Sequence, residues 1–125
     1  MSYDIGLYVK VAGCDKCVMI DEPEHSNPTY NLSKMFSACM DWNYEQWKGE
    51  LNGKCNRVFY CCDVALEKIE HGIKELSENR KKYEKYNPPN GWGDLDGALV
   101  TLKSLKECIC KWMDEIPLSC LYMAW

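Results

Sequence analysis

The chain predicts an α+β fold: a β-hairpin, three helices and a C-terminal strand, with the helices packed on one face of a small antiparallel sheet. Three observations carry that prediction. Short β-branched and aromatic runs open the sequence, two long stripes of apolar residues at helical spacing fill its second half, and an apolar octapeptide, LSCLYMAW, closes it. With 125 residues, 46% hydrophobic and 27% charged, residues 1–125 fit a single domain with a real core.

Taken in order, residues 3–11 (YDIGLYVKV) read as a first strand, AGCD as a turn, and CVMI at 17–20 as the returning strand. Asp21, Glu22 and Pro23 stop it. Gly6 inside the first strand predicts a bulge or a close neighbour. EHSNPTY at 24–30 is a loop. Leu32, Met35, Phe36, Cys39 and Met40 then recur at helical spacing, which predicts a helix over about 32–42 with Asn31 as its N-cap. NYEQWKGELNGKCN has no period and reads as a loop, with Trp42, Tyr44 and Trp47 close together in or beside it.

From Val58 the apolar stripe Val58, Cys62, Ala65, Leu66, Ile69, Ile73 and Leu76 predicts a second helix with a charged opposite face. It frays or bends near Ser77 and ends by Asn87, because Pro88 disfavours a helical residue before it. A third helix follows from Leu95, Ala98, Leu99, Leu102, Leu105, Ile109, Trp112 and Met113. Asp94 is its natural N-cap and Asp96 places negative charge in its first turn. Pro117 ends it, and the closing strand has the first strand as its simplest partner.

Several function classes are disfavoured. No run of about 18 or more apolar residues is present, so no membrane span is expected. MSYDIGLYVK lacks the basic start and apolar centre of a signal peptide, so a cytoplasmic location is expected. A net charge of −4 opposes non-specific binding to nucleic acid or anionic lipid. The nine cysteines are odd in number and several fall on apolar helix faces, so they read as reduced, small hydrophobes. Cys14 and Cys17 form a C-x-x-C without a second pair at zinc-site spacing. His25 and His71 stand far apart in sequence. Phosphate-loop, dinucleotide and zinc-protease motifs are absent. No catalytic residue, cofactor or metal site is assigned.

The most informative surface stretch is NPPNGWGD at 87–94. Its structural reading is a stiff link between two antiparallel helices. Pro88 and Pro89 stop the first, Asn90-Gly91 tolerates positive φ, Gly93 permits a close turn, Asp94 caps the next helix and Trp92 plugs the joint. Its binding reading keeps that geometry and adds a guest. Asp94 would occupy the backbone donors that an anion needs. Trp92 flanked by Asn87 and Asn90 suits a planar polar ligand stacked on the indole, or a protein partner anchored by it.

The set YDI at the start, DEP at 21–23, TYN at 29–31 and NPPNGWG at 87–93 resembles a family of small proteins, of uncharacterised activity, encoded in bacterial genomes, prophages and other mobile elements. The resemblance implies a phage or mobile-element accessory protein, non-enzymatic and acting by binding, as an anti-CRISPR-like antagonist of a host defence factor. Tyr30, Asn31, Asn87, Asn90, Trp92 and Asp94 are the expected contact residues, with TYN and NPPNGWG converging on one end of the helical layer. Two other readings stand beside it. A nucleotide-binding sponge that sequesters a defence signal needs a concave pocket lined by aromatic and amide groups. A small hydrolase needs Cys55, Cys61 or Cys62 against His25 or His71 in a cleft.

Overall fold

In the computed structural model, residues 4–11, 17–41 and 59–124 are described. The turn expected around AGCD, within 12–16 and with Cys14, and the stretch 42–58 with Trp42, Tyr44, Trp47, Cys55 and Val58, lie outside the described residues. The sheet joins both ends of the chain. Strand β1 (Gly6–Lys10) pairs antiparallel with β2 (Cys17–Asp21) on one side and with β4 (Leu121–Ala124) on the other. A short strand β3 (Phe59–Cys61) pairs with β4, giving the order β2-β1-β4-β3. The pleat sends alternate residues to opposite faces. Leu7, Val9, Leu121 and Met123 face the helices, while Tyr8, Phe59, Tyr122 and Ala124 form a second cluster behind the sheet.

Gly6 shows both properties expected of it. The β1–β2 register shifts between Leu7 and Tyr8, and a Cβ on Gly6 would stand 2.9 Å from the Tyr8 ring and 3.1 Å from the Met19 methyl. Strand β3 was not anticipated, because a run of three apolar residues satisfies the helical and the strand period equally. It passes directly into α2 (Cys62–Glu78) through Cys61, whose backbone is extended at φ −64°, ψ 130°.

Helix α1 (Ser33–Cys39) is shorter than its apolar pattern suggested, and Asn31 does not cap it. The chain enters α1 through a 3₁₀ turn at Tyr30–Leu32, and Thr29 supplies the acceptors. Its hydroxyl accepts the Asn31 N–H at 3.3 Å and its carbonyl the Leu32 N–H at 3.1 Å. Helix α2 breaks at Asn79 (φ −120°, ψ 41°), slightly beyond Ser77, and restarts as the short α3 (Arg80–Glu84). The Asn79 side chain donates to Glu75 at 2.6 Å across the break. Helix α4 (Leu95–Met113) is capped as its sequence predicts: Asp94 Oδ1 accepts the Gly97 N–H at 2.7 Å. After Pro117 a 3₁₀ turn at Leu118–Cys120 leads into β4.

Cross-links fix α2 and α4 as an antiparallel pair. Glu70 meets Lys106, Gly72 meets Leu102 and Arg80 meets Asp96. Ile69, Leu76, Leu102, Leu105 and Ile109 are completely buried between the helices and the sheet. Each such side chain contributes about 1.5–3 kcal/mol on burial. Gly72 lets the layer close: a Cβ there would lie 2.7 Å from Met40 Cγ and 3.0 Å from Leu102 Cδ1. The neighbouring His71 does not border the core. Its side chain is half exposed, with Nε2 3.7 Å from Glu75 Oε1.

The loop after β2 is strapped to α4. Asp21 Oδ2 accepts the Trp112 indole N–H at 2.8 Å and lies 3.5 Å from Lys111 Nζ, while Ser104 Oγ donates to the Glu24 carbonyl. The start of the chain is tied to the same loop by Ile5 N–H to the Ser26 carbonyl at 2.9 Å and by Asn27 to Asp4. Two of the motif segments, YDI and DEP, therefore hold the scaffold. No helix among the described residues is long and apolar enough to cross a membrane.

Candidate binding site at the helix elbow

The octapeptide between α3 and α4 is ordered by its own polar groups. The Asn87 side chain accepts the Leu95 N–H at 2.9 Å, so it and Asp94 together satisfy two of the open donors at the start of α4. The Gly91 N–H closes a turn on the Pro88 carbonyl at 3.2 Å, and the Trp92 N–H donates to Asn90 Oδ1 at 3.0 Å. Gly91 and Gly93 take φ of 75° and 95°, a region that side chains with a Cβ rarely enter.

Gly93 also permits a close approach. A Cβ there would lie 2.8 Å from Thr29 Cγ2 and 3.1 Å from Leu32 Cγ, so the TYN segment and the elbow meet at one end of the helical layer. Thr29, Leu32 and the buried Leu95 close the joint. Trp92 does not plug it, contrary to the structural reading of the sequence. Its side chain is 71% exposed, because the turn anchored by Pro88 and Asn90 carries it outward and Leu32 already fills the space beneath Gly93.

Beside Trp92 runs an open groove of about 650 Å³. Asn31, Ser33 and Lys34, from the entry to α1, line it together with Lys85, Asn87 and Asn90 of the elbow. Tyr86, Pro88 and Pro89 complete the lining. Among the described residues no carboxylate lines this groove, although the chain carries 19 acidic residues against 15 basic ones. Neither Lys34 nor Lys85 has an acidic partner among the described residues. The Lys85 ammonium lies 5.2 Å from the centre of the Tyr86 ring, a cation–π placement that holds it at the groove. The oxygens of Asn87 and Asn90 are taken by backbone N–H groups, which leaves their amide nitrogens as donors.

Of the six residues expected from sequence, Asn31, Asn87 and Asn90 share the groove and Trp92 stands exposed on the elbow beside it. Asp94 serves the cap of α4. Tyr30 opens the 3₁₀ turn, and its side chain lies outside the described atoms. Lys34 was missed, since one lysine on an amphipathic helix carries no signal in sequence. Lys85 likewise follows a short basic stretch, Arg80 to Lys82, that reads as an exposed helix end. Arg80 pairs with Asp96 at 2.8 Å, and Tyr83 is buried.

The thiols present a different chemistry. The seven described cysteines are all free, and Cys39, Cys62 and Cys108 are buried. Burial pushes Cys39 and Cys108 up to about 12 and Cys61 to about 11, and raises Cys62 further. Such thiols stay protonated at neutral pH and are poor nucleophiles. Cys61 Sγ lies 3.7 Å from the Leu118 carbonyl, and Cys62 is in the core. Neither His71, on the solvent face of α2, nor the exposed His25 sits in a cleft with them. Among the described residues no group of three or more His, Cys, Asp or Glu is placed to hold a metal ion.

The described chemistry of this molecule is therefore concentrated in an exposed indole and a carboxylate-free, amide- and lysine-lined groove on a rigid elbow. No protein-family model, no curated protein sequence and no solved structure matches this chain.

Proposed function

We propose that this protein acts by binding, without catalysis, and engages a protein partner through the elbow of α3 and α4. The observation that carries this reading is Trp92, 71% exposed on a segment fixed by its own hydrogen bonds. A large aromatic side chain left in water on an ordered support is the type of residue that anchors interfaces. Little backbone entropy remains to be lost when a partner covers it. In this reading it is a phage or mobile-element accessory protein that antagonises a bacterial defence factor by occupying one of its surfaces in the cytoplasm, a context supported by the resemblance of its motif set alone. Capture from a bacterial host lysate with wild-type protein and with Trp92→Ala tests it. A specific host protein retained by the wild type and lost by a Trp92→Ala variant of unchanged melting temperature supports the reading. Equal capture by both would overturn it.

A nucleotide-sequestering role is the second reading, favoured by the concave groove and its amide donors. Two features weigh against it. Tyr86, the one aromatic ring among the described lining residues, carries Lys85 over it, where a base would stack. Two of the N–H groups that could cradle phosphate at the start of α4, those of Leu95 and Gly97, are occupied by Asn87 and Asp94. Mass spectrometry of small molecules released from protein purified out of its host distinguishes the two readings.

A further inference from the structure

From the composition of the groove walls we infer that the partner presents an extended, acidic segment, seated between Lys34 and Lys85 beside Trp92. This rests on the binding role proposed above and names the chemistry of its ligand. The lining comes from different parts of the chain: Lys34 is on α1, whereas Lys85 follows α3. The fold brings both lysines to one open groove. Among the described lining residues two lysines and no carboxylate appear, in a chain of net charge −4, which makes this lining positive on an acidic molecule. That pattern attracts carboxylates and repels no part of them.

The remaining lining fits a peptide better than a compact ligand. An extended chain presents a carbonyl and an N–H at every residue, and the Asn87 and Asn90 amide nitrogens offer donors to those carbonyls. Asn31, an exposed lining residue, has an amide able to accept as well as donate. Pro88 and Pro89 add rigid apolar surface, and Trp92 stands exposed two residues beyond the lining Asn90. The groove is open along its length, whereas small-molecule sites enclose most of their ligand.

Backbone-amide NMR titration with three probes decides the matter: an end-blocked heptapeptide alternating Glu with Leu and Ala, its counterpart with Gln for Glu, and ATP. The expected result is that the Glu peptide shifts amides of residues 31–34 and 85–92 at low salt, less at high salt, while the Gln peptide does not. The K34E/K85E double variant, altered only at exposed side chains, should bind the Glu peptide at least roughly tenfold more weakly at unchanged melting temperature. The milder K34Q/K85Q variant should fall between. Equal shifts from the Gln peptide, tighter binding of ATP, no shifts in these residues, or unaltered binding by K34E/K85E would each overturn the inference. A host protein lost by Trp92→Ala but kept by K34E/K85E would leave the binding role standing and remove the acidic ligand alone.

Discussion

The two tryptophans described at either end of α4 occupy opposite situations. Trp112, in its last turn, is partly buried and gives its indole N–H to Asp21 at 2.8 Å, linking the end of β2 to the helix. Trp92, just before its first turn, is 71% exposed, and its indole has no partner among the described residues. One aromatic ring is spent within the fold and the other is offered outside it. The difference arises from the supporting backbone. A long helix lays Trp112 against a sheet edge, whereas a turn fixed by Asn90 and by two glycines of positive φ holds Trp92 away from the body.

Substitution should break this symmetry of residue type in a graded way. The largest effect is expected at Trp112. Trp112→Ala removes a packed ring and leaves Asp21 without its donor, costing about 2–4 kcal/mol, measurable by urea denaturation. Trp112→Phe isolates the polar part through its pH dependence. The Trp112 indole, with the Glu22 N–H and Lys111, holds the Asp21 carboxyl below its ordinary 3.8. A depressed carboxyl stabilises the fold above its unfolded value and loses that contribution as pH falls through the lower folded value. The acid limb of the wild-type stability curve, below pH 3.8, should therefore be steeper than that of Trp112→Phe.

Gly72→Ala should come next, at about 1–3 kcal/mol, because overpacking against Met40 and Leu102 exceeds the gain in helix propensity. A variant as stable as the wild type would mean that Met40 repacks freely. Asp94→Ala should cost about 1 kcal/mol, the usual value of an N-cap, and Asn87 moderates it by keeping the Leu95 N–H satisfied. Trp92→Ala should be smallest, within about 0.5 kcal/mol, as for exposed sites without partners. A large thermal destabilisation there would show that Trp92 serves the fold as Trp112 does, and would erase the contrast.

Much of this arrangement was legible in the residues. Helices α2 and α4 declared themselves because 17 and 19 residues sample the 3.6 period several times over. Asp94 was legible as a cap because its chemistry is local. Phe59–Cys61 was not, since its strand character comes from β4, some sixty positions away. Asn31 failed as a cap for a similar reason: Thr29, drawn against Gly93 by the tertiary fold, supplied the acceptors instead. The groove itself depends on Lys34 and Lys85 meeting across two elements. No pattern along the chain announces such a meeting, although three of the amide-bearing positions that line it were already marked by their neighbours.

The pairing order of the sheet has a consequence for how this molecule is made. Its last strand, Leu121–Ala124, lies in the interior of the sheet and bridges β1 to β3. Until those four residues leave the ribosome, the amino-terminal hairpin has no inner neighbour and β3 has nothing to zip onto. Synthesis must therefore pass Ala124 before the sheet can assemble, and a chain cut before Leu121 would leave β1–β2 and β3 unjoined.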